Sequence, residues 1–134
     1  MKYAVIAARV ILGLMFLVFG LNGLLHFIPN PPMPVNDATT WITIMNDHKY
    51  ATFVSVLQVI GGLLLLVGRY VPIGLVILGP IIVNILLFHF TLMHGGATGG
   101  LIALVLEIFL IVVYRQAFVR IFEADPRSGP DTGR

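Results

Sequence analysis

The chain has 134 residues, 58% of them hydrophobic and 10% charged, with a net charge of +2 and a mean hydropathy of +0.99. Soluble domains carry about a quarter charged residues, so a water-soluble fold of this size would leave most of its apolar surface exposed, and the bilayer is the solvent that fits. The arginines sit at helix ends without forming a basic stripe, which argues against nucleic acid, and the lack of cysteine excludes disulfides, thiolate metal sites and thiol chemistry from this chain.

The first apolar run covers residues 3–28 and stops at Pro29, Pro31 and Pro32. About 20 residues cross a hydrocarbon core, so the run is long enough to span. It is too long for a signal peptide, and no small-x-small cleavage site follows it. A proline-rich loop over 29–38 leads to a short interfacial helix near residues 38–47, with Asp37 as its cap and Trp41, Ile44 and Met45 on one side. Trp favours the membrane interface. The second span is expected over 50–67, followed by a tight turn at Arg69-Tyr70-Val71. The third covers 72–93 and opens on Pro72, an apt first helical residue. Pro80 inside it should kink the helix or cost it a hydrogen bond. A glycine-rich loop at 94–99 precedes a fourth span over 100–114, with helix continuing to Phe122. Residues 1–122 thus read as one membrane domain and 123–134 as a polar cytoplasmic tail.

Lys2, Arg9, Arg69, Arg115, Arg120, Arg127 and Arg134 fall on one side of the alternating spans, and Lys49 stands alone on the other. Basic residues favour the cytoplasmic side. The expected fold is therefore all-α, a transmembrane four-helix bundle with both termini cytoplasmic, in the cytoplasmic (inner) membrane of a bacterium. Short connections make spans two, three and four antiparallel neighbours. Small residues such as Gly13, Gly20, Gly23, Gly61, Gly62, Gly74, Gly79, Gly100 and Ala103 offer close-packing seams.

Polar side chains in hydrocarbon are costly and therefore functional candidates. Arg9 has two readings: its length lets it snorkel to the headgroups, or it forms a buried ion pair with Glu107, whose position in span four lies within roughly two turns of it in depth. Glu107 either pairs, or is held protonated and could then carry a proton, and pairing is the favoured reading. Asn22, Gln58 and Asn84 lie in the outer halves of their spans, where they suit either interhelical amide hydrogen bonds or the polar end of a quinone or another amphiphile. The four histidines, His26, His48, His89 and His94, all fall at the outward end. No paired histidine spacing lies on a single helix, and no metal site is expected. His26, His89, Asn22, Asn84 and Gln58 form the candidate site, a polar layer bordering a quinone-like ligand at the outer leaflet.

Three stretches carry a family resemblance: Arg9-Val-Ile-Leu-Gly13-Leu-Met-Phe16-Leu-Val-Phe-Gly20-Leu-Asn22, then Gln58-Val-Ile-Gly61-Gly62-Leu-Leu-Leu-Leu-Val-Gly68, and Val71-Pro72-Ile-Gly74 continuing through Gly79-Pro80 and Asn84 to Phe88-His89. Together they resemble the DoxX-like family of four-helix membrane proteins. Two positions depart from the family's habit: Gly23 stands where lysine is frequent, and Gln58 where glutamate is frequent. The resemblance implies a four-helix membrane fold and a loose tie to oxidoreduction. One member group looks like the membrane subunit of a thiosulfate:quinone oxidoreductase, and others are linked with oxidative-stress partners at the membrane. The implied function is a redox-linked subunit that contacts quinone or anchors an oxidoreductase. The alternative is a non-enzymatic accessory or assembly subunit of a larger membrane complex. A small-solute carrier fits least, because four helices leave little room for alternating access. No catalysis is expected from this chain alone. Its expected partners are the bilayer and other membrane or membrane-associated subunits.

Overall fold

The computed structural model describes residues 1–29, 32–125 and 128. They form α1 (Lys2–Leu25), α2 (Asp37–Asp47), α3 (Tyr50–Val67), α4 (Val71–Leu87), a π-helical continuation of α4 over Phe88–Met93, α5 (Thr98–Val113), α6 (Arg115–Val119) and a closing 3-10 turn, Arg120–Phe122. No strand occurs among the described residues. Three helical stretches, Lys2–Leu25, Tyr50–Val67 and Val71–Met93, are long and apolar enough to cross a membrane, and a fourth joins them if α5 is counted with the bent segment after it.

Glycine sets the closest approach. Gly13 on α1 faces Gly62 and Leu66 on α3, and Gly20 faces Ser55 and Val59. The two helices therefore run antiparallel, nearly backbone on backbone. A β-carbon on Gly13 would stand 2.9 Å from the Gly62 carbonyl oxygen, and one on Gly62 would stand 2.7 Å from the Gly13 carbonyl oxygen. The same logic pairs α3 with α4, where Gly61 meets Leu78, and α4 with α5, where Gly100 meets Leu86. α1 also packs on α5, so the contacts of α1, α3, α4 and α5 close into a ring. Its interior holds Leu12, Phe16, Leu65, Leu75, Leu78, Ile82 and Leu110, all fully buried. Large apolar side chains such as Ile11, Phe53, Ile73, Val83 and Val105 point out of the ring. An apolar rim this extensive suits lipid rather than water.

Several boundaries differ from the sequence expectation. α1 stops at Leu25 instead of residue 28, because His26 takes a left-handed conformation with φ 52° and its N–H bonds back to the Asn22 carbonyl. The cap of α2 is Asn36, not Asp37. The Asn36 side chain accepts the Thr39 N–H at 3.1 Å while the Thr39 hydroxyl accepts the Asn36 N–H at 2.9 Å, a reciprocal capping box. Asp37 lies in the first turn, where a negative charge complements the helix dipole. α4 runs unbroken through Pro80, whose missing N–H leaves the Val76 carbonyl without its helical donor.

The fourth expected span changes most. α5 has 16 residues, about 24 Å at 1.5 Å per residue, and the chain then turns by 82° into the Arg115–Phe122 segment instead of continuing straight. Arg115 Nη1 donates to the Val112 carbonyl at 3.1 Å, satisfying one of the carbonyls that a helix end leaves free. Of the expected polar tail, residues 126, 127 and 129–134 lie outside the described residues.

Candidate functional site

α2 packs across α3 and the π-helical turn, and it marks one end of the molecule; α6 marks the other. Side chains on a helix tilt toward that helix's own N-terminus. α3 begins at the α2 end and α4 finishes there, so Gln58 tilts toward α2 while Asn84 and His89 tilt away from it. The three polar groups therefore meet at one level although their Cα atoms do not.

They meet in a cavity of about 520 Å³, within the range that holds a small ligand. Its walls are Trp41 and Met45 from α2, Tyr50, Ala51, Val54 and Ser55 from α3, and Ile81, Ile85 and Phe88 from α4 and its continuation. Gln58, Asn84 and His89 supply the polar groups. Trp41 covers it, with its ring centroid 5.1 Å from that of Phe88 and the planes tilted by 41°. α2 thus forms one wall of this cavity. A second cavity of about 440 Å³ lies between α1, α4 and α5, bordered by Met15, Phe16, Phe19, Gly100 and Ala103, and again by Gln58 and His89. With Ile85, which also lines both cavities, these residues are the shared wall. His89 Nδ1 is buried with no hydrogen-bond partner. His89 also stands in the π-helical turn, a widened geometry that re-aims side chains and recurs at functional sites.

The other expected members of the layer do not join. Asn22 Oδ1 accepts the Ile28 N–H at 2.8 Å, so this amide closes the end of α1. His26 is exposed, sits in the left-handed region as the cap of α1, and borders neither cavity. His48 caps α2 and His94 caps the π-helical turn, the latter with φ 55°. Histidine is one of the few residues that enter this region readily. Three of the four histidines expected at the outward end are therefore helix ends, and His89 is the one that lines these two cavities. Trp41 was legible as an interfacial residue. That it lies over Asn84 and His89 was not, because nothing local to residues 37–47 says which helix they cover.

The expected ion pair of Arg9 with Glu107 is not made. Glu107 is 2% exposed and neither of its carboxylate oxygens has a hydrogen-bond partner. Its Oε1 faces Gly79. The Arg9 guanidinium lies instead against Gly68 at the α6 end, with Nη1 and Nη2 each 2.9 Å from where a β-carbon on Gly68 would sit. The Arg9 Nε is itself buried without a hydrogen-bond partner. Among the described residues no group of three or more His, Asp or Glu is placed to hold a metal ion.

No family model matches the chain, and no solved structure matches it. It is 31% identical over 86 residues to the uncharacterized protein YwoB of Bacillus subtilis (strain 168), a match that takes in 64% of this chain. The chain spans 56% of that relative's length, and the relative's name assigns no activity.

Proposed function

We propose that this chain is a DoxX-like integral membrane protein of the bacterial cytoplasmic membrane, crossing four times with both termini in the cytoplasm, and that it serves as a redox-linked subunit which holds a quinone at the outer leaflet. The observation that carries this reading is the cavity under Trp41. Its walls are apolar and aromatic, as a quinone ring requires, and its amide and imidazole groups come from two helices. The free His89 Nδ1 is a group that a quinone oxygen would satisfy, and a buried polar atom without a partner costs about 1–3 kcal/mol. Gln58 and Asn84 would donate to the carbonyl oxygens. A bound quinone would supply two-electron chemistry that the chain's own side chains lack, and the electrons would come from a partner subunit. α5 and the bent segment after it form the fourth crossing, with the segment turned into the interface.

Trp41 is the chain's one tryptophan, so its fluorescence reports the cavity directly. Titration of the protein in nanodiscs with a short-chain ubiquinone analogue should quench Trp41 saturably. The His89→Ala variant should bind roughly tenfold more weakly or worse, the equivalent of about 1.4 kcal/mol. Quenching that stays linear with concentration, or an unchanged affinity in the variant, would leave this layer a packing role only.

A further inference from the structure

Glu107 is the acid that the quinone reading does not use. It belongs to the inward stripe of α5, Gly100, Ala103, Glu107 and Leu110, all buried. Both of its oxygens are unpartnered. An ionised carboxylate in that setting would lack any compensation for its lost hydration.

Its direction matters as much as its burial. α5 starts at the α2 end, so the Glu107 side chain tilts toward that end. There, one turn away on the same stripe, Ala103 lines the second cavity. That distance is about 6 Å at 1.5 Å per residue, a gap that a rotamer change of Glu107 or a bound water would have to bridge. His89, with its free Nδ1, stands at the opposite side of the same cavity. The charged and titratable groups around Glu107 are few. α4 presents Gly79 at its level and His89 beyond it, and α3 offers only the neutral Gln58. On α1, Arg9 is turned to Gly68, and Arg115 beyond α5 is bound to the Val112 carbonyl. The open side of Glu107 is thus the α2 side, and the closed side is the one that holds the arginines.

We propose that Glu107 is a proton-binding site that exchanges with the α2 side of the membrane through the second cavity, with His89 in its wall. The ligand is a proton, held as the neutral carboxylic acid and released to water in the cavity. The assignment of that side to the cell exterior rests on the topology proposed above.

The test uses the full chain in proteoliposomes. An apolar carbodiimide adds to a carboxyl group only in its protonated form. With both faces at neutral pH, peptide mass mapping should find the adduct on Glu107, and Glu107→Gln should lose it. Raising the pH on the α2 side alone should suppress the labelling, while raising it on the α6 side alone should leave it. A second readout needs no variant to fold: the infrared carbonyl band of a neutral carboxylic acid, shifted in D2O, should be present in the native protein. The two faces are identified independently, since the chain has no cysteine and the exposed Val35 and Phe122 can each be replaced by cysteine and treated with an impermeant maleimide. If Val35→Cys and Phe122→Cys react from the same side, the spanning topology fails, and the sidedness fails with it. If they react from opposite sides and the native chain has no Glu107 adduct and no carboxylic-acid band, the proton site is overturned and the topology stands. Labelling that follows the pH of the α6 side overturns the access route.

Discussion

Arg9 and Glu107 lean away from each other. Glu107 stands level with Gly79, Leu78 beside it packs on Gly61, and the neighbouring Gly62 packs on Gly13. Arg9 therefore sits roughly 6–9 Å from Glu107 along the bundle axis, at 1.5 Å per residue. α1 and α5 run in opposite directions, and each side chain tilts toward its own N-terminus, so the side chains widen the gap instead of closing it. A double-mutant cycle with Arg9→Gln and Glu107→Gln, read by thermal unfolding in detergent, should be additive within about 0.5 kcal/mol. A larger favourable coupling would restore the ion pair.

The α1–α3 seam should be the least tolerant place in the molecule. Gly13→Ala and Gly62→Ala each press a methyl against a backbone carbonyl, which cannot swing aside as a side chain could. We expect each to cost about 1–3 kcal/mol and to lower the unfolding temperature in detergent. Gly99→Ala is the control, because nothing lies within 4 Å of its added β-carbon. It should not destabilise, and helix propensity favours it by roughly 0.5–1 kcal/mol.

Asn22 and His89 should separate cleanly by assay. Asn22→Ala removes the acceptor for the Ile28 N–H and should cost stability, on the order of 1 kcal/mol, with quinone quenching of Trp41 unchanged. His89→Ala should do the reverse, weakening the quenching with little loss of stability. Equal effects of both variants on quenching would mean that Asn22 reaches the cavity after all.

Topology is checked by a reporter that is active only outside the cytoplasm. Fused after Val35 or after Gly96 it should be active, and after Arg69 it should be dark. Activity at Arg69 would invert or break the four-crossing arrangement.

The sequence alone determined that the chain is helical and made for a bilayer. Long uninterrupted apolar runs between prolines, glycines and charges admit no other backbone in lipid, where each N–H and C=O must be satisfied within its own segment. The helices Tyr50–Val67 and Val71–Met93 fall where hydropathy put them, and the short helix α2 begins one residue from its expected start. The ends of the other helices were less legible, because they depend on single polar groups: Asn22 turning back on Ile28, His26 entering the left-handed region, Arg115 capping Val112. The tertiary structure alone decided how the polar residues are used. Depth along a helix is additive and can be counted from sequence, whereas side-chain direction depends on which way each helix runs and which neighbour it meets. That is why Gln58 and His89 converge from different depths, why the side chains of Arg9 and Glu107 widen the gap between them, and why three of the four histidines at one end of the chain's helices serve the backbone while one faces the cavities.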